Sequence, residues 1–417
     1  MNINESQMKT IELLNPWWNG FEVELGIERS DYLTAIKKTL EDRKQILFVL
    51  GSRRVGKTRI LSQCIYKLIK EDINPKDVLF LSLDNSNLEG FDWYSYISES
   101  NYQYIFLDEI HSSPKWAQNL KSLYDLPNNN YKIICSGSSS KAIEDNKAFL
   151  TGRSTSLLVT PLDFNEFKKF RSEAKVKDYL FYGGYPEYVL EKEPNYLNDL
   201  IRDIIEKDIV KVHRVRNKQY LFDICQILAK QVGFKGSSNK IASVLSLDNK
   251  TVENYMQYLK EVKLIDIVYQ YSESLNKKLF SPKKYYFNDL GLRNSFVGFS
   301  DIGSLVENAV FLKLSKIYGP SNIYYLCDSR KDEVDFVVNL SKDEVLIVES
   351  KYKDLESAVI GGVSNLFYKN IFGKKITDRI VVTNSVNNEF KKESIVIKLV
   401  DLEKFLSLGL SEQKSPA

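Results

Sequence analysis

The stretch that decides the fold lies at residues 46–58 and is Ile-Leu-Phe-Val-Leu-Gly-Ser-Arg-Arg-Val-Gly-Lys-Thr. Its first five residues are apolar, which matches the length of a buried strand. Gly51 and Gly56 frame a short polar loop, and a helical pattern follows Lys57. The stretch therefore predicts a strand, a glycine-rich turn and a helix in that order.

Further strand-sized apolar runs alternate with helical patterns through the first half of the chain. They are Gln45–Leu50, Val78–Leu83, Tyr104–Leu107, Lys132–Cys135 and Ser156–Val159. Alternation of this kind is typical of an α/β fold, in which a mainly parallel sheet is covered by helices.

Length and composition exclude several classes of protein. The 417 residues suggest two or three domains, and the hydrophobic fraction of 43% can fill sizeable cores, so the chain is globular. Lysine and arginine number 58 against 55 acidic residues, a net charge of +3. Such a balance excludes a histone-like protein, and any nucleic-acid surface must be local.

Cysteine and histidine usage indicates a reducing compartment without a zinc centre. The four cysteines, Cys64, Cys135, Cys225 and Cys327, are widely separated and form neither a disulfide framework nor a CxxC clip. The two histidines, His111 and His213, are too few for a histidine-rich site. We find no membrane-spanning run and no secretory signal at the N-terminus, and we expect a cytoplasmic protein without a membrane partner.

The loop at residues 51–58 matches the GxxxxGK[ST] pattern of a phosphate-binding loop. We predict that the nucleotide is bound by Gly51, Ser52, Arg53, Arg54, Val55, Gly56, Lys57 and Thr58. Backbone N–H groups and the start of the helix would face one anion. Lys57 would reach the β- and γ-phosphates, and the Thr58 hydroxyl would bind Mg²⁺.

An acidic pair follows the third apolar run. Asp108 and Glu109 come directly after Tyr104–Leu107, at the carboxyl end of the predicted strand. Asp108 would hold Mg²⁺ through water, and Glu109 would orient and polarise the attacking water. The pair, together with Lys57, predicts ATP hydrolysis and not binding alone.

Two further polar positions are catalytic candidates. Ser136 or Ser138, after the fourth apolar run, would sense the γ-phosphate; the alternative is a serine-rich helix cap. Arg153, after Gly152, suits a finger that neutralises transition-state charge from a neighbouring subunit; the alternative is an ordinary surface arginine.

The C-terminal part contains a second set of carboxylates. Asp335 is followed 14 residues later by Glu349 and then Lys351, and side chains two residues apart on a strand share a face. We predict Asp335 and Glu349 as metal ligands, with Lys351 near the scissile bond and Glu307 and Glu333 as further members. The alternatives are a degenerate site or ordinary surface strands.

Residues 235–284 are basic, with nine lysines against five acidic residues, a net charge of +4. Two short helices and a following strand make a winged-helix module plausible in this segment. Lysines there would neutralise DNA phosphates, and the helix from Thr251 would enter a major groove. The alternative is a solvated face on a packing domain.

The order of these motifs resembles the AAA+ type P-loop ATPases, specifically a prokaryotic family with a C-terminal restriction-endonuclease-like domain of unknown function. The motifs that carry the resemblance are Gly51–Thr58, Leu107–Glu109, Ser136–Ser140, Leu150–Arg153, Pro161–Phe167, Gly183–Pro186, Lys207–Ile209 and Lys284–Asp289. Asp335, Glu349 and Lys351 fall at the PD-(D/E)xK nuclease positions. Ser350 replaces the usual valine, which removes no metal ligand.

The resemblance implies five segments. They are an N-terminal extension (1–30), an AAA+ ATPase core (31–175), a helical lid or linker (176–234), a winged-helix module (235–285) and a restriction-endonuclease-like α/β domain (286–417). It also implies Arg153 as the finger and a homo-oligomer. We therefore expect a Mg²⁺-dependent ATPase coupled to DNA binding or processing. The alternative is an ATP-switched interaction protein whose nuclease-like domain is inactive.

Overall fold

The chain folds into two units, Met1–Thr160 and Pro161–Ala417. A computed structural model describes residues 4–42, 45–127, 130–138, 143, 146–330, 332–354, 363–368, 371–392 and 395–408. The five predicted segments stay a prediction, because the structure divides the chain more coarsely.

The first unit alternates strands and helices. Its strands are Ile46–Gly51 (β1), Val78–Ser82 (β2), Tyr104–Asp108 (β3), Lys132–Ser138 (β4) and Ser154–Leu158 (β5). Its described α-helices are Glu5–Leu14 (α1), Ser30–Asp42 (α2), Lys57–Lys70 (α3), Trp93–Ser98 (α4) and Trp116–Tyr124 (α5). Short 3₁₀ turns occupy Pro16–Asn19, Pro75–Asp77, Ser86–Leu88, Ile110–Ser112 and Lys147–Leu150.

The five strands form one parallel sheet in the order β2-β3-β4-β1-β5. Every residue of β1 and β3 is buried, because helices cover both faces of a parallel sheet. Val49 of β1 lies opposite Ser136 of β4, and Gly51 lies opposite Ser138. This confirms the predicted parallel sheet and aligns the carboxyl ends of β1, β3 and β4.

The second unit begins with helices. Its described α-helices are Phe164–Phe170 (α6), Val176–Tyr182 (α7), Pro186–Glu191 (α8), Tyr196–Asp203 (α9), Lys211–His213 (α10), Gln219–Lys230 (α11), Ser238–Leu245 (α12), Asn249–Glu261 (α13), Leu275–Phe280 (α14), Leu290–Val297 (α15), Ile302–Tyr318 (α16) and Leu402–Ser407 (α17). A π-helical stretch, Ile204–Val210, joins α9 to α10. Both helices predicted within 235–285 are present, and Asp248 caps the second through the Lys250 and Thr251 N–H groups.

Eight strands form the sheet of the second unit. They are Ile265–Gln270 (β6), Lys284–Phe287 (β7), Ile323–Cys327 (β8), Glu333–Asn339 (β9), Glu344–Lys351 (β10), Lys375–Thr383 (β11), Asn388–Lys392 (β12) and Ile395–Asp401 (β13). The order is β12-β13-β11-β10-β9-β8-β6-β7. Strand β6 pairs antiparallel with β7 and parallel with β8. Strand β7 therefore crosses the boundary predicted between residues 285 and 286 and joins the C-terminal sheet.

Candidate functional site

The glycine-rich loop leaves the buried strand β1 and enters α3 within five residues. A Cβ atom on Gly51 would lie 2.4 Å from the Val159 carbonyl oxygen, so only glycine fits there. Arg54 (φ 59°) and Gly56 (φ 95°) adopt left-handed backbone, which folds the loop back over the start of α3. The helix begins at Lys57, so its first N–H groups face the concave side of the loop.

A buried arginine from the N-terminal region supports this loop. The Arg29 guanidinium donates to the Val55 carbonyl at 2.9 Å and to the Thr160 carbonyl at 2.9 Å. It also lies over the Tyr32 ring. Residues 1–30 were predicted as an extension without a site role, and no sequence motif distinguished Arg29.

The Lys57 ammonium is buried inside the loop. Its Nζ donates to the carbonyl oxygens of Gly51 and Ser52, each at 3.1 Å, and lies 3.8 Å from Glu109 Oε1. Carbonyl oxygens are weaker partners for an ammonium than phosphate oxygens. The structure therefore holds Lys57 where an entering phosphate would draw it from the loop carbonyls.

Asp108 connects the loop to the neighbouring strands. Its Oδ2 accepts a hydrogen bond from the Thr58 hydroxyl at 2.7 Å, and its Oδ1 accepts one from Ser136 Oγ. Burial raises the pKa of Asp108, and the hydrogen bonds from Ser136 and Thr58 oppose that rise. A carboxylate beside a hydroxyl is an oxygen donor set that Mg²⁺ prefers, so these residues fit the predicted ion.

Glu109 lies beside Asp108 on a left-handed turn (φ 48°), a backbone conformation uncommon for a residue other than glycine. Its backbone N–H donates to Ser136 Oγ at 3.1 Å, so Ser136 bridges the two acidic residues. His111 Nδ1 lies 3.3 Å from Glu109 Oε2. Sequence analysis gave His111 no role; its position two residues after the acidic pair was the available signal.

The predicted sensor serines share one strand. Ser136 and Ser138 are two residues apart in β4, so both side chains lie on the same face of the sheet. Ser136 contacts the acidic pair, and Ser138 pairs with Gly51 at the start of the loop. Both positions are therefore beside the candidate nucleotide site, and the contacts of Ser136 with the acidic pair favour it as the sensor.

Arg153 lies at the other end of the parallel sheet. Its carbonyl accepts a hydrogen bond from the N–H of Ile46, the first residue of β1, whereas the loop follows the last residue. About 16 Å of strand separates these two ends. The guanidinium donates to Asp125 Oδ1 at 2.9 Å and to Oδ2 at 3.4 Å. Within one chain, Arg153 is thus not brought to the loop.

The second unit gathers carboxylates around Lys284, a residue of the Lys284–Asp289 motif with no predicted role. Lys284 Nζ lies 2.9 Å from Glu307 Oε1, 2.7 Å from Glu333 Oε1 and 3.4 Å from Asp335 Oδ1. Its side chain is only 1% exposed. The predicted members Glu307, Glu333 and Asp335 are therefore together, with an ammonium between them.

The remaining predicted residues lie beside this group. Asp335 Oδ2 accepts hydrogen bonds from the N–H and the hydroxyl of Ser350, both at 2.9 Å. Lys351 Nζ lies 2.8 Å from Glu349 Oε1. Each predicted metal ligand, Asp335 and Glu349, is thus already bonded to a basic or polar side chain.

Charge and burial act in opposite directions on these groups. Burial, with Asp335 adding to it, raises the pKa of Glu307 to about 7, and burial raises that of Glu349 to about 7. Burial also opposes ionisation of Asp335, but Lys284 and Lys351 lower its pKa overall. Burial lowers the pKa of Lys284, yet Glu307 and the neighbouring acidic groups hold it well above its ordinary value.

Among the described residues, no group of three or more histidine, cysteine, aspartate or glutamate side chains is placed to hold a metal ion. Within the same residues, no helix has the length and apolar character needed to cross a membrane.

Three protein-family models match consecutive parts of the chain. A model described as an AAA domain (AAA_14) matches residues 43–168. A domain of unknown function (DUF8612) matches residues 173–302, and a second domain of unknown function (DUF4143) matches residues 302–403.

Two relatives match most of the chain. An uncharacterized protein of Methanocaldococcus jannaschii is 29% identical over 336 residues, which are 73% of this chain and 74% of the relative. An uncharacterized protein of Haemophilus influenzae is 26% identical over 360 residues, which are 78% of this chain and 87% of the relative.

Solved structures give remote likenesses. AMPPCP-bound DnaA from Aquifex aeolicus has a TM-score of 0.32 and 18% identity, covering 60% of this chain and 92% of that chain. A RuvB variant from Thermotoga maritima has a TM-score of 0.29 and 16% identity, covering 58% and 89%. The Aeropyrum pernix ORC1 protein in complex with DNA has a TM-score of 0.27 and 13% identity, covering 65% and 92%.

The family-model match and the loop geometry together show that residues 43–168 carry an AAA-type P-loop ATPase domain.

Proposed function

We propose that the protein binds ATP with Mg²⁺ and hydrolyses it at the loop of the first unit. One observation carries this proposal: Lys57, Thr58, Asp108, Glu109 and Ser136 meet at the carboxyl edge of one parallel sheet. Open α/β sheets bind their ligands at this edge.

Each side chain has a chemical role in this proposal. Lys57 transfers its hydrogen bonds from the loop carbonyls to the phosphates. Thr58 would bind Mg²⁺ and Asp108 would hold it through water, and the ion would neutralise phosphate charge. Glu109 orients and polarises the attacking water, held by the Ser136 bridge and the contact with His111.

Two substitutions test the hydrolysis proposal. Lys57→Ala should abolish ATP hydrolysis and weaken ATP binding, whereas Glu109→Gln should abolish hydrolysis and retain binding. Exposed residues of the same unit provide matched controls, Lys70→Ala and Glu89→Gln, which should behave like wild type. Full hydrolysis by Glu109→Gln would exclude the role given to that carboxylate.

We propose that Arg153 completes the nucleotide site of a neighbouring copy in a homo-oligomer. Its support is the position at the end of the sheet opposite its own loop, on the partly exposed end of the unit. The Asp125 carboxylate fixes the orientation of the guanidinium. A finger that cannot reach its own loop must act between subunits.

We propose further that nucleotide turnover is coupled to DNA binding or processing through a winged-helix module within 235–285. Helices α12 and α13 and the β6-β7 pair supply the elements of such a module. Lys240 and Lys250 are exposed on the two helices. Helix α13 also exposes Asn254 and Gln257, side chains that hydrogen-bond base edges.

A charge-reversal pair tests the DNA proposal. Lys240→Glu with Lys250→Glu should weaken DNA binding and reduce its salt dependence, because each phosphate contact contributes to the salt slope. The matched control, Lys9→Glu with Lys38→Glu, reverses two exposed lysines of the first unit. Fluorescence anisotropy with a labelled DNA duplex at several salt concentrations measures the affinity for DNA and its salt dependence. Equal affinity of the two double variants would contradict a role for these helices.

We propose a restriction-endonuclease-like fold for the C-terminal part, with Asp335, Glu349 and Lys351 at the signature positions. The second candidate function, an ATP-switched interaction protein with an inactive domain of this fold, is favoured by one observation: Lys284 lies among the carboxylates. Incubation with single- and double-stranded DNA and Mg²⁺ or Mn²⁺ separates the candidates. Cleavage lost in Lys351→Ala would support an enzyme, and no cleavage of any substrate would support the switch.

We also propose a reducing, cytoplasmic location. All four cysteines are free thiols, and Cys64, Cys135 and Cys225 are buried. Burial raises the pKa of Cys64 to about 12, so this thiol stays protonated and unreactive.

A further inference from the structure

The Lys284 ammonium lies among three carboxylates of the second unit that were predicted as members of a nuclease-like metal site, namely Glu307, Glu333 and Asp335. Two elements supply the acidic partners: α16 carries Glu307, and β9 carries Glu333 and Asp335. The ammonium of Lys284, on β7, lies within 2.7–3.4 Å of all three. A divalent cation bound to the same oxygens would lie almost on the ammonium, and the two charges would repel strongly.

The three carboxylates around Lys284 have other partners as well, Glu307 through the oxygen that faces the ammonium and the other two through their second oxygen. Glu307 Oε1 accepts a hydrogen bond from the Tyr286 hydroxyl at 2.6 Å. Glu333 Oε2 lies 2.8 Å from Lys235 Nζ. Asp335 Oδ2 is held by Ser350. Mg²⁺ demands near-ideal octahedral geometry, and these existing contacts use lone pairs that the carboxylates would need for an ion.

The formal charges nearly balance without a metal ion. Glu307, Glu333, Asp335 and Glu349 lie against Lys235, Lys284 and Lys351. Four carboxylates and three ammonium groups leave one formal negative charge, too little to attract a divalent cation into a buried site.

Lys284 is also fixed in place. Its strand pairs with β6, where Lys284 lies opposite Val268, and the side chain is almost fully buried. The neighbouring Tyr286 ring stacks on Phe311 with a centroid distance of 4.6 Å. Movement of the ammonium out of the cluster would leave three partly buried carboxylates without their shared cation, which is unfavourable.

We propose that Lys284 is a built-in cation that replaces the divalent metal ion in this cluster, so that the second unit does not bind Mg²⁺ or Mn²⁺ at these carboxylates. The cluster then joins β7, α16 and β9 and performs no metal-dependent cleavage. This inference is independent of ATP hydrolysis, because it concerns the other unit and is measured without nucleotide.

The test measures Mn²⁺ binding to the full-length, nucleotide-free protein by electron paramagnetic resonance of the free ion. Wild type should show no Mn²⁺ binding that depends on Asp335. Lys284→Met keeps the length of the side chain and removes its charge, and it should tighten Mn²⁺ binding by on the order of tenfold or more. Lys375→Met, which breaks the exposed pair with Glu344, is the matched control and should gain nothing.

Each outcome decides the inference. Wild-type binding of Mn²⁺ that disappears in Asp335→Asn would overturn it, and so would a folded Lys284→Met protein that gains no Mn²⁺. If Lys284→Met fails to fold, the comparison of wild type with Asp335→Asn decides alone. Equal Mn²⁺ binding by these two proteins supports the built-in cation.

Discussion

At the residue scale, Ser136 connects the two acidic residues of the candidate nucleotide site. Its hydroxyl donates to Asp108 and accepts from the Glu109 N–H, so one oxygen positions both acidic residues. The sequence offered Ser136 and Ser138 as equal candidates. Because both serines lie on the same face of β4, strand periodicity does not distinguish them. The contacts of Ser136 with Asp108 and Glu109 at the end of β3 do.

Ser136→Ala should slow ATP hydrolysis by about 10- to 100-fold and leave ATP binding nearly unchanged. Loss of the hydroxyl leaves a buried acceptor and an N–H without a partner, which costs about 1–3 kcal/mol for each group. Steady-state hydrolysis and binding of a fluorescent ATP analogue measure the two effects. Ser138→Ala is the comparison; a larger loss of hydrolysis in that variant would assign the role to Ser138.

Also at the residue scale, Gly183 permits a close approach that no other residue allows. Its φ is 70°, and a Cβ atom would lie 2.4 Å from Asp289 Oδ1. Gly298 has the same kind of backbone, with φ 72°, but nothing lies within 4 Å of its Cβ position. A comparison of alanine substitutions at these two positions therefore separates the cost of backbone strain from the cost of steric overlap.

Gly183→Ala should lower the free energy of unfolding by more than Gly298→Ala does. Both variants lose about 1–3 kcal/mol through strain at positive φ, and Gly183→Ala loses about 1–3 kcal/mol more through overlap with the carboxylate. Urea unfolding followed by circular dichroism measures both variants. Equal losses in the free energy of unfolding would contradict the cost assigned to overlap with the Asp289 carboxylate.

At the element scale, Asp289 joins two parts of the second unit. One carboxylate oxygen caps helix α15 by accepting from the Leu292 N–H at 2.9 Å, and the other accepts from the Gly184 N–H at 2.6 Å. The side chain is buried, and burial raises the pKa of Asp289 to about 6, although the backbone N–H groups oppose this rise. The helix start and the Gly183-Gly184 turn thus depend on one carboxyl group.

The raised pKa makes stability depend on pH in a defined direction. The folded carboxyl keeps its proton until about pH 6, whereas the unfolded one loses it near its ordinary value, so the contribution to stability falls as pH rises through this window. The free energy of unfolding of wild type relative to Asp289→Asn should fall by about 2 kcal/mol between pH 4 and pH 7. Urea unfolding at both pH values measures it. A relative gain for wild type over this range would contradict the sign.

Elements were predicted well where a local pattern was sufficient. The five strands of the first sheet are present within two or three residues of their predicted bounds, because buried parallel strands are short continuous apolar runs. The pairing of β6 with β8 could not be predicted, since it joins residues more than fifty positions apart. The support from Arg29 was missed for the same reason.

At the scale of the whole molecule, the role proposed for Arg153 depends on assembly. Its own loop lies at the opposite end of the sheet, so a single chain cannot bring the guanidinium to its own nucleotide. The hydrogen bonds with Asp125 keep it oriented in the isolated chain.

Mixing two inactive variants should restore part of the ATP hydrolysis. Arg153→Ala keeps an intact loop, and Lys57→Ala keeps an intact finger, so a mixed assembly contains some complete sites. Hydrolysis is measured across mixing ratios, with assembly checked by light scattering. Lys121→Ala, which removes the other partner of Asp125, is the control and should keep its activity. No recovery in confirmed mixed assemblies would contradict a shared site.

The sequence by itself determined the glycine-rich loop, the acidic pair, the parallel sheet and the second set of carboxylates, because each depends on neighbouring residues and on strand or helix periodicity. The tertiary structure decided what these groups contact. It brought Ser136 between Asp108 and Glu109, and it placed the Lys284 ammonium among carboxylates from α16 and β9. The physical reason is that pattern specifies which face a side chain occupies, whereas electrostatic partners are set by strand order and register, which bring distant residues within bonding distance.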